Sequence, residues 1–142
     1  MSLEEAFRRA CVMEATARKP GNVHPHASFD DLCYDDFVRS ANVASSAFAN
    51  AADQTVGATV LDAIRLTQAE VGKNTNLGIV LLVAPLAAVN RETKLTDGIG
   101  HVLSSLTVED AADVYEAIRL TAPGGMGKAD AQDVHEQPTV TL

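Results

Sequence analysis

The chain has 142 residues and carries 11 Lys+Arg against 19 Asp+Glu, a formal net charge of −8. That length fits one domain with a real core, and the acidic balance argues against a general nucleic-acid binder, so any anionic ligand needs a local cluster of donors. Cys11 and Cys33 form no CxxC pair and the opening residues read as a helix rather than a secretory segment, so the expectation is two reduced thiols in a cytoplasmic protein.

Ser2 and Glu5 have the spacing of a capping box, and Leu3, Ala6, Phe7, Ala10 and Cys11 follow a helical period. They predict a first helix from about Leu3 to Arg18, stopped by Lys19-Pro20-Gly21. Asn22 to Leu32 has no periodicity and is rich in His, Pro and Asp, which reads as a loop. A second helix begins near Tyr34 or Asp35 and fades near Asn50. Thr55 caps a third through about Ala69. Gly72 to Gly78 interrupts the pattern, and Ile79 to Val89 reads as a helix apolar on all sides, the kind that lies at the centre of a bundle. The apolar run from Leu77 to Val89 is thirteen residues, too short to span a bilayer. Asp97 to Leu106 forms a short helix, and Thr107 with Asp110 caps a last one that ends near Thr121.

No strand pattern appears, so the fold is expected to be all-α, a multi-helix bundle around a buried apolar helix. Residues 1–122 form the helical domain; residues 123–142 continue it as a Gly-rich loop and a weakly ordered tail.

Four groups of residues bear on chemistry. Glu14, Thr16 and Lys19 place a carboxylate, a hydroxyl and an ammonium beside the Pro20-Gly21 turn, where glycine admits a ligand close to the backbone and lysine meets phosphate as a point charge. The plainer reading is a helix stop with a Glu14–Arg18 surface pair. His24, His26, Asp30 and Asp31 share the following loop. Their spacing fits no compact zinc pattern, whereas Mg²⁺ needs only Asp30 or Asp31 beside ligand phosphates. Gly72-Lys73-Asn74-Thr75-Asn76-Leu77-Gly78 sits at a helix N-terminus, a natural anion site, although the plainer reading is that Asn74 or Thr75 is only the N-cap, and the spacing is not that of a P-loop. Gly124-Gly125-Met126-Gly127, with Asp130 and Asp133, reads as a loop that closes over a ligand or as a flexible linker.

The order of these motifs is more specific than any one of them. Glu14-x-Thr16-x-x-Lys19-Pro20-Gly21-Asn22-Val23, then His26, Phe29 and Asp31, Phe37-x-x-Ser40-Ala41, Gly72-x-Asn74-Thr75-x-x-Gly78, and Gly124-Gly125-Met126-Gly127 with Asp133-Val134 resemble the triphosphoribosyl-dephospho-CoA synthase family. The resemblance runs from about Cys11 to Val134. It implies an all-helical transferase that uses ATP and dephospho-CoA, forms a ribosyl–ribosyl linkage and releases adenine.

It also implies roles. Glu14, Lys19 and Asp31 are the catalytic candidates. Lys19, Gly21, Asn22, His26, Asn74, Thr75 and Gly78 are the nucleotide-binding candidates, and Asp30 and Asp31 would hold Mg²⁺. Two departures stand out. The family typically has Asn-Thr-His-Lys-Gly where this chain has Asn74-Thr75-Asn76-Leu77-Gly78, and family chains are longer, so the sequence reads as an N-terminal portion. An apolar face left uncovered is then expected to drive homo-oligomerisation. The expected partners are small-molecule nucleotides, with no nucleic acid and no membrane. The alternative is a non-catalytic nucleotide- or partner-binding helical domain, or an inactive fragment.

Overall fold

The computed structural model describes residues 1–142 and contains helices and no strands, so the chain is all-α. α1 spans Leu3–Thr16, α2 Tyr34–Ala44, α3 Val56–Glu70, α4 Leu77–Ala87, α5 Leu95–Ser104 and α6 Val108–Thr121; a 3₁₀ turn, Ser45–Phe48, extends α2. No helix is long and apolar enough to cross a membrane.

Three caps form where the sequence places them. Ser2 Oγ accepts the Glu5 N–H at 3.1 Å and Thr55 Oγ1 that of Ala58 at 3.1 Å. Thr107 and Asp110 exchange bonds as a capping box. α1 ends two residues before the expected Arg18, because the backbone is already extended at Ala17, ahead of Lys19-Pro20.

The central helix is α3, not α4. Eight of the fifteen α3 residues are buried against three of the eleven in α4, namely Val80, Ala84 and Ala87. α3 packs on α2, α4 and α6 and supplies Val60 and Ile64, each stabilising the fold by about 1.5–3 kcal/mol through burial. α4 lies at the surface with Leu82 74% exposed, which corrects the expectation of a bundle built around it. Its wholly apolar composition does not require burial on every side, since an unpartnered face has the same sequence.

Two contacts set the frame around α3. Phe7 of α1 stacks on Phe48 with ring centroids 3.8 Å apart. At the α3–α6 crossing, the buried Gly57 N–H donates to Asp110 Oδ1 at 2.8 Å, while Asp110 Oδ2 accepts from Thr107. Burial pushes the Asp110 carboxyl up, but these bonds outweigh it and hold the group below the usual carboxylate range. The 123–142 segment has no helix, yet it is tied to α6: Tyr115 Oη donates to the Gln132 carbonyl at 3.0 Å and Arg119 to that of Val134 at 2.6 Å.

Candidate functional site

Three stretches border the N-terminal half of α2: the end of α1 and the loop before α4 are bonded to it by side chains, and the loop 22–32 leads into it. The first is the end of α1. Thr16 Oγ1 donates to the Val12 carbonyl and lies 2.8 Å from the Tyr34 hydroxyl, which joins α1 to the first residue of α2. Beyond it the chain makes a turn closed by the Asn22 N–H to the Lys19 carbonyl at 3.2 Å. Pro20 occupies the second position of the turn and Gly21 the third, where φ is +73°, the arrangement of a type II turn that only glycine adopts freely. A Cβ on Gly21 would meet no atom within 4 Å, so the turn faces open space.

Lys19 pairs with Glu14, which corrects the expected Glu14–Arg18 pair. With the helix ended at Thr16, Arg18 is no longer one turn above Glu14 on a helical face. Both members are part-exposed, with 34% of the Lys19 side chain and 49% of Glu14 in solvent. The pair is therefore weak and open to exchange with an arriving anion.

The second stretch is the loop before α4. Lys73 Nζ donates to Asp36 Oδ2 at 2.8 Å, and Thr75 Oγ1 donates to Ser40 Oγ at 2.6 Å. Ser40 in turn donates to the Asp36 carbonyl. Two side-chain bonds thus fasten residues 73–75 to one face of α2. The Lys73 bond, then the Cys33 N–H that Asp36 also accepts, hold the Asp36 carboxyl below the usual range. Tyr34 and Asp36 were absent from the sequence-predicted site, and Ser40 and Lys73 stood within its motifs without a role. The one local signal for Asp36 was its position three residues into a helix, where it closes a capping box with Cys33.

At the start of α4 the cap is Asn76, rather than Asn74 or Thr75, and its side chain does not cap. Asn76 is 6% exposed and donates from Nδ2 to Thr67 Oγ1 of α3 at 2.9 Å; its Oδ1 has no partner. Thr67 already donates to the Ala63 carbonyl, which fixes the amide in that orientation. Leu77 packs on the hydrophobic core. Both positions at which the chain departs from Asn-Thr-His-Lys-Gly therefore face inward. The amides of Leu77, Gly78 and Ile79 have no acceptor, since the first backbone bond of α4 is Val80 to Asn76, and Gly78 and Asn74 are exposed beside them. Three free N–H groups at a helix N-terminus suit an anion.

The third stretch is the loop 22–32. Val23 is buried and anchors it, and His24 and Ala27 bond as a short bridge. His26 donates its backbone N–H to His24 Nδ1 at 3.2 Å. Asp30 and Asp31 are exposed, and no side-chain bond joins His26, Asp30 or Asp31 to the α2 cluster. No group of three or more His, Cys, Asp or Glu residues is arranged to hold a metal ion. The two adjacent carboxylates do not make a protein site alone; they match the one or two that Mg²⁺ takes when substrate phosphates supply its remaining ligands.

A hollow of about 370 Å³ lies elsewhere, among Ser46, Asn50, Gln54, Asp62 and Arg65. It shares no residue with the α1–α2–α4 junction. The junction has the stronger claim to a phosphorylated ligand, because it offers Lys19 and the free amides of α4, whereas the hollow sets one arginine against the carboxylate of Asp62 in its own lining.

Asp133 extends the polar pattern to the tail. It is buried and accepts from the Ala129 and His135 backbones and from His135 Nδ1, with its pKa lowered to about 2 by these bonds. Asp36, Asp110 and Asp133 all have folded values below the unfolded one near 3.9. Their contribution is present above about pH 4 and is lost as pH falls through the folded values. Asp113 works the other way: burial, then Glu109 and Glu116, push it up. The thermal midpoint is therefore expected to hold between pH 7 and about pH 5 and to fall steeply toward pH 2, as calorimetry at stepped pH would record. A midpoint flat to pH 2 would mean that these bonds do not form.

A family model described as ATP:dephospho-CoA triphosphoribosyl transferase (CitG) matches residues 1–142, the full extent of the sequence. No curated protein and no solved structure matches the chain. On the strength of that match, the chain belongs to the ATP:dephospho-CoA triphosphoribosyl transferase family.

Proposed function

We propose that the chain is a cytoplasmic transferase that binds ATP at the α1–α2–α4 junction and passes its triphosphoribosyl group to dephospho-CoA or a related acceptor, releasing adenine. The observation that carries this reading is that the end of α1, through Thr16, and the loop that holds Asn74 and Thr75 are both bonded to the first two turns of α2. In this reading Lys19 leaves Glu14 for the triphosphate, and Asn74, Thr75 and the amides of α4, with Gly78 beside them, orient phosphate or ribose. Gly21 and Asn22 give the backbone room at the turn.

The reaction forms a bond between an acceptor ribose oxygen and C1′ of ATP and breaks the C1′–N bond to adenine. Positive charge develops on the ribose, so the carboxylate of Glu14, freed of Lys19, or that of Asp31 stabilises it and takes the proton of the attacking hydroxyl. His26 would give a proton to the departing base. Mg²⁺ would arrive on the triphosphate, with Asp31 and Asp30 as its protein ligands, and would offset the charge on the phosphates. The partners in this reading are small nucleotides and a second copy of the chain.

A second reading, a catalytically silent nucleotide-binding domain, draws on the inward turn of Asn76 and Leu77. Chromatography of the full chain incubated with ATP and dephospho-CoA separates the two. Adenine in step with acceptor consumption is expected; ATP binding without adenine would favour the silent domain.

A further inference from the structure

The outer side of α4 is an apolar surface that the fold leaves without a partner. Leu82 is 74% exposed and Leu86 39%. With the exposed Gly78 they recur every fourth residue, which lines them up as one ridge along the helix. A groove borders the ridge on each side. The one toward α1, about 320 Å³, is lined only by apolar residues, among them Phe7, Val83 and Leu95. The one toward α3 and α6, about 340 Å³, is lined by apolar residues that include Leu81, Leu103 and Val114. α5 supplies Leu95 to the first groove and Leu103 to the second, packs on α4, and buries none of its own residues.

Charge and area say what can cover this face. Residues 74–90 include no Asp, Glu, Lys, Arg or His, in a chain of net charge −8, so the α4 ridge itself brings no like charges together when it meets its own image. The 11 residues of α4 run for about 16 Å, and the ridge with its two grooves is about three helix widths across, roughly 500 Å² in plan. Two such surfaces bury on the order of 1,000 Å², the scale of a weak, reversible dimer rather than an obligate one. A ridge with apolar grooves beside it is also self-complementary, as a two-fold interface requires.

We propose that the α4 face is a homodimer interface in which the Leu82–Leu86 ridge of each copy enters a groove beside α4 of the other. The interface does not depend on the transferase reading, and its test does not use activity. Sedimentation equilibrium of the full chain from about 5 to about 500 µM is expected to show monomer passing to dimer, with a dissociation constant of roughly tens of micromolar. Leu82→Glu, at an exposed position, is expected to weaken the dimer at least thirtyfold with an unchanged far-ultraviolet circular dichroism spectrum. Leu82→Met, which keeps the apolar ridge, is expected to retain it whatever becomes of the glutamate variant. A chain that stays monomeric throughout, leaving the face to a different protein, overturns the proposal. So does a dimer that Leu82→Glu does not weaken, or one that Leu82→Met abolishes.

Discussion

Replacing Lys19 by alanine is expected to weaken ATP binding at least tenfold in calorimetric titration of the full chain, with or without Mg²⁺. A charge-assisted contact to phosphate contributes about 1.5–3 kcal/mol, and tenfold is about 1.4 kcal/mol. The fold should be nearly indifferent to the change. Lys19 stands outside α1, its only side-chain partner is Glu14, and both are part-exposed, so the pair contributes about 1 kcal/mol at most. Glu14→Gln provides the contrasting arm. Freed of its carboxylate partner, Lys19 should hold phosphate at least as well, while adenine release falls if Glu14 serves the developing charge on the ribose. If Lys19→Ala binds ATP as the unmodified chain does, the triphosphate is not at the end of α1.

The largest effect on stability is expected at Gly57. A Cβ there would stand 2.6 Å from both the Cα and the carbonyl oxygen of Asp110. These are backbone atoms, so no side chain can swing aside, and α6 itself must move off α3. The same movement stretches the bond from the Gly57 N–H to Asp110 Oδ1. Overpacking of this kind costs about 3 kcal/mol, and Gly57→Ala is expected to lower the thermal midpoint by about 10 °C. The sign runs against local propensity, because alanine is the better helix former. A midpoint within a degree or two of the unmodified chain would show that α3 and α6 do not approach there.

How much of this was readable beforehand differs from element to element. The helix starts were legible because Ser2, Thr55 and Thr107 carry their capping chemistry locally. The identity of the central helix was not. α3 looks amphipathic because it contains Thr59 and Thr67, yet both hydroxyls donate to the carbonyl four residues back and are buried without penalty. α4, apolar throughout, holds an exposed ridge instead. Composition reports what a helix can bury, and only the packing decides what it does bury.

The site was half legible for a related reason. Glu14, Lys19, Asn74 and Thr75 could be picked out by motif, and the structure ties their two segments to α2. Asp36 and Lys73, 37 positions apart, share no periodicity that a sequence displays, so the ion pair that seats the loop had no signal. Asn76 pointed the wrong way: an asparagine beside a helix start reads as a cap or a ligand contact, and it faces Thr67 instead.

The most direct test is the set of backbone amide shifts in a ¹H–¹⁵N spectrum of the full chain titrated with ATP. The perturbed amides are expected to cluster at residues 16–23, 33–40 and 72–79, with Leu77, Gly78 and Ile79 among the largest. Perturbations centred on Ser46, Asn50 and Arg65, or no perturbation at millimolar ATP, would contradict ATP binding at the α1–α2–α4 junction.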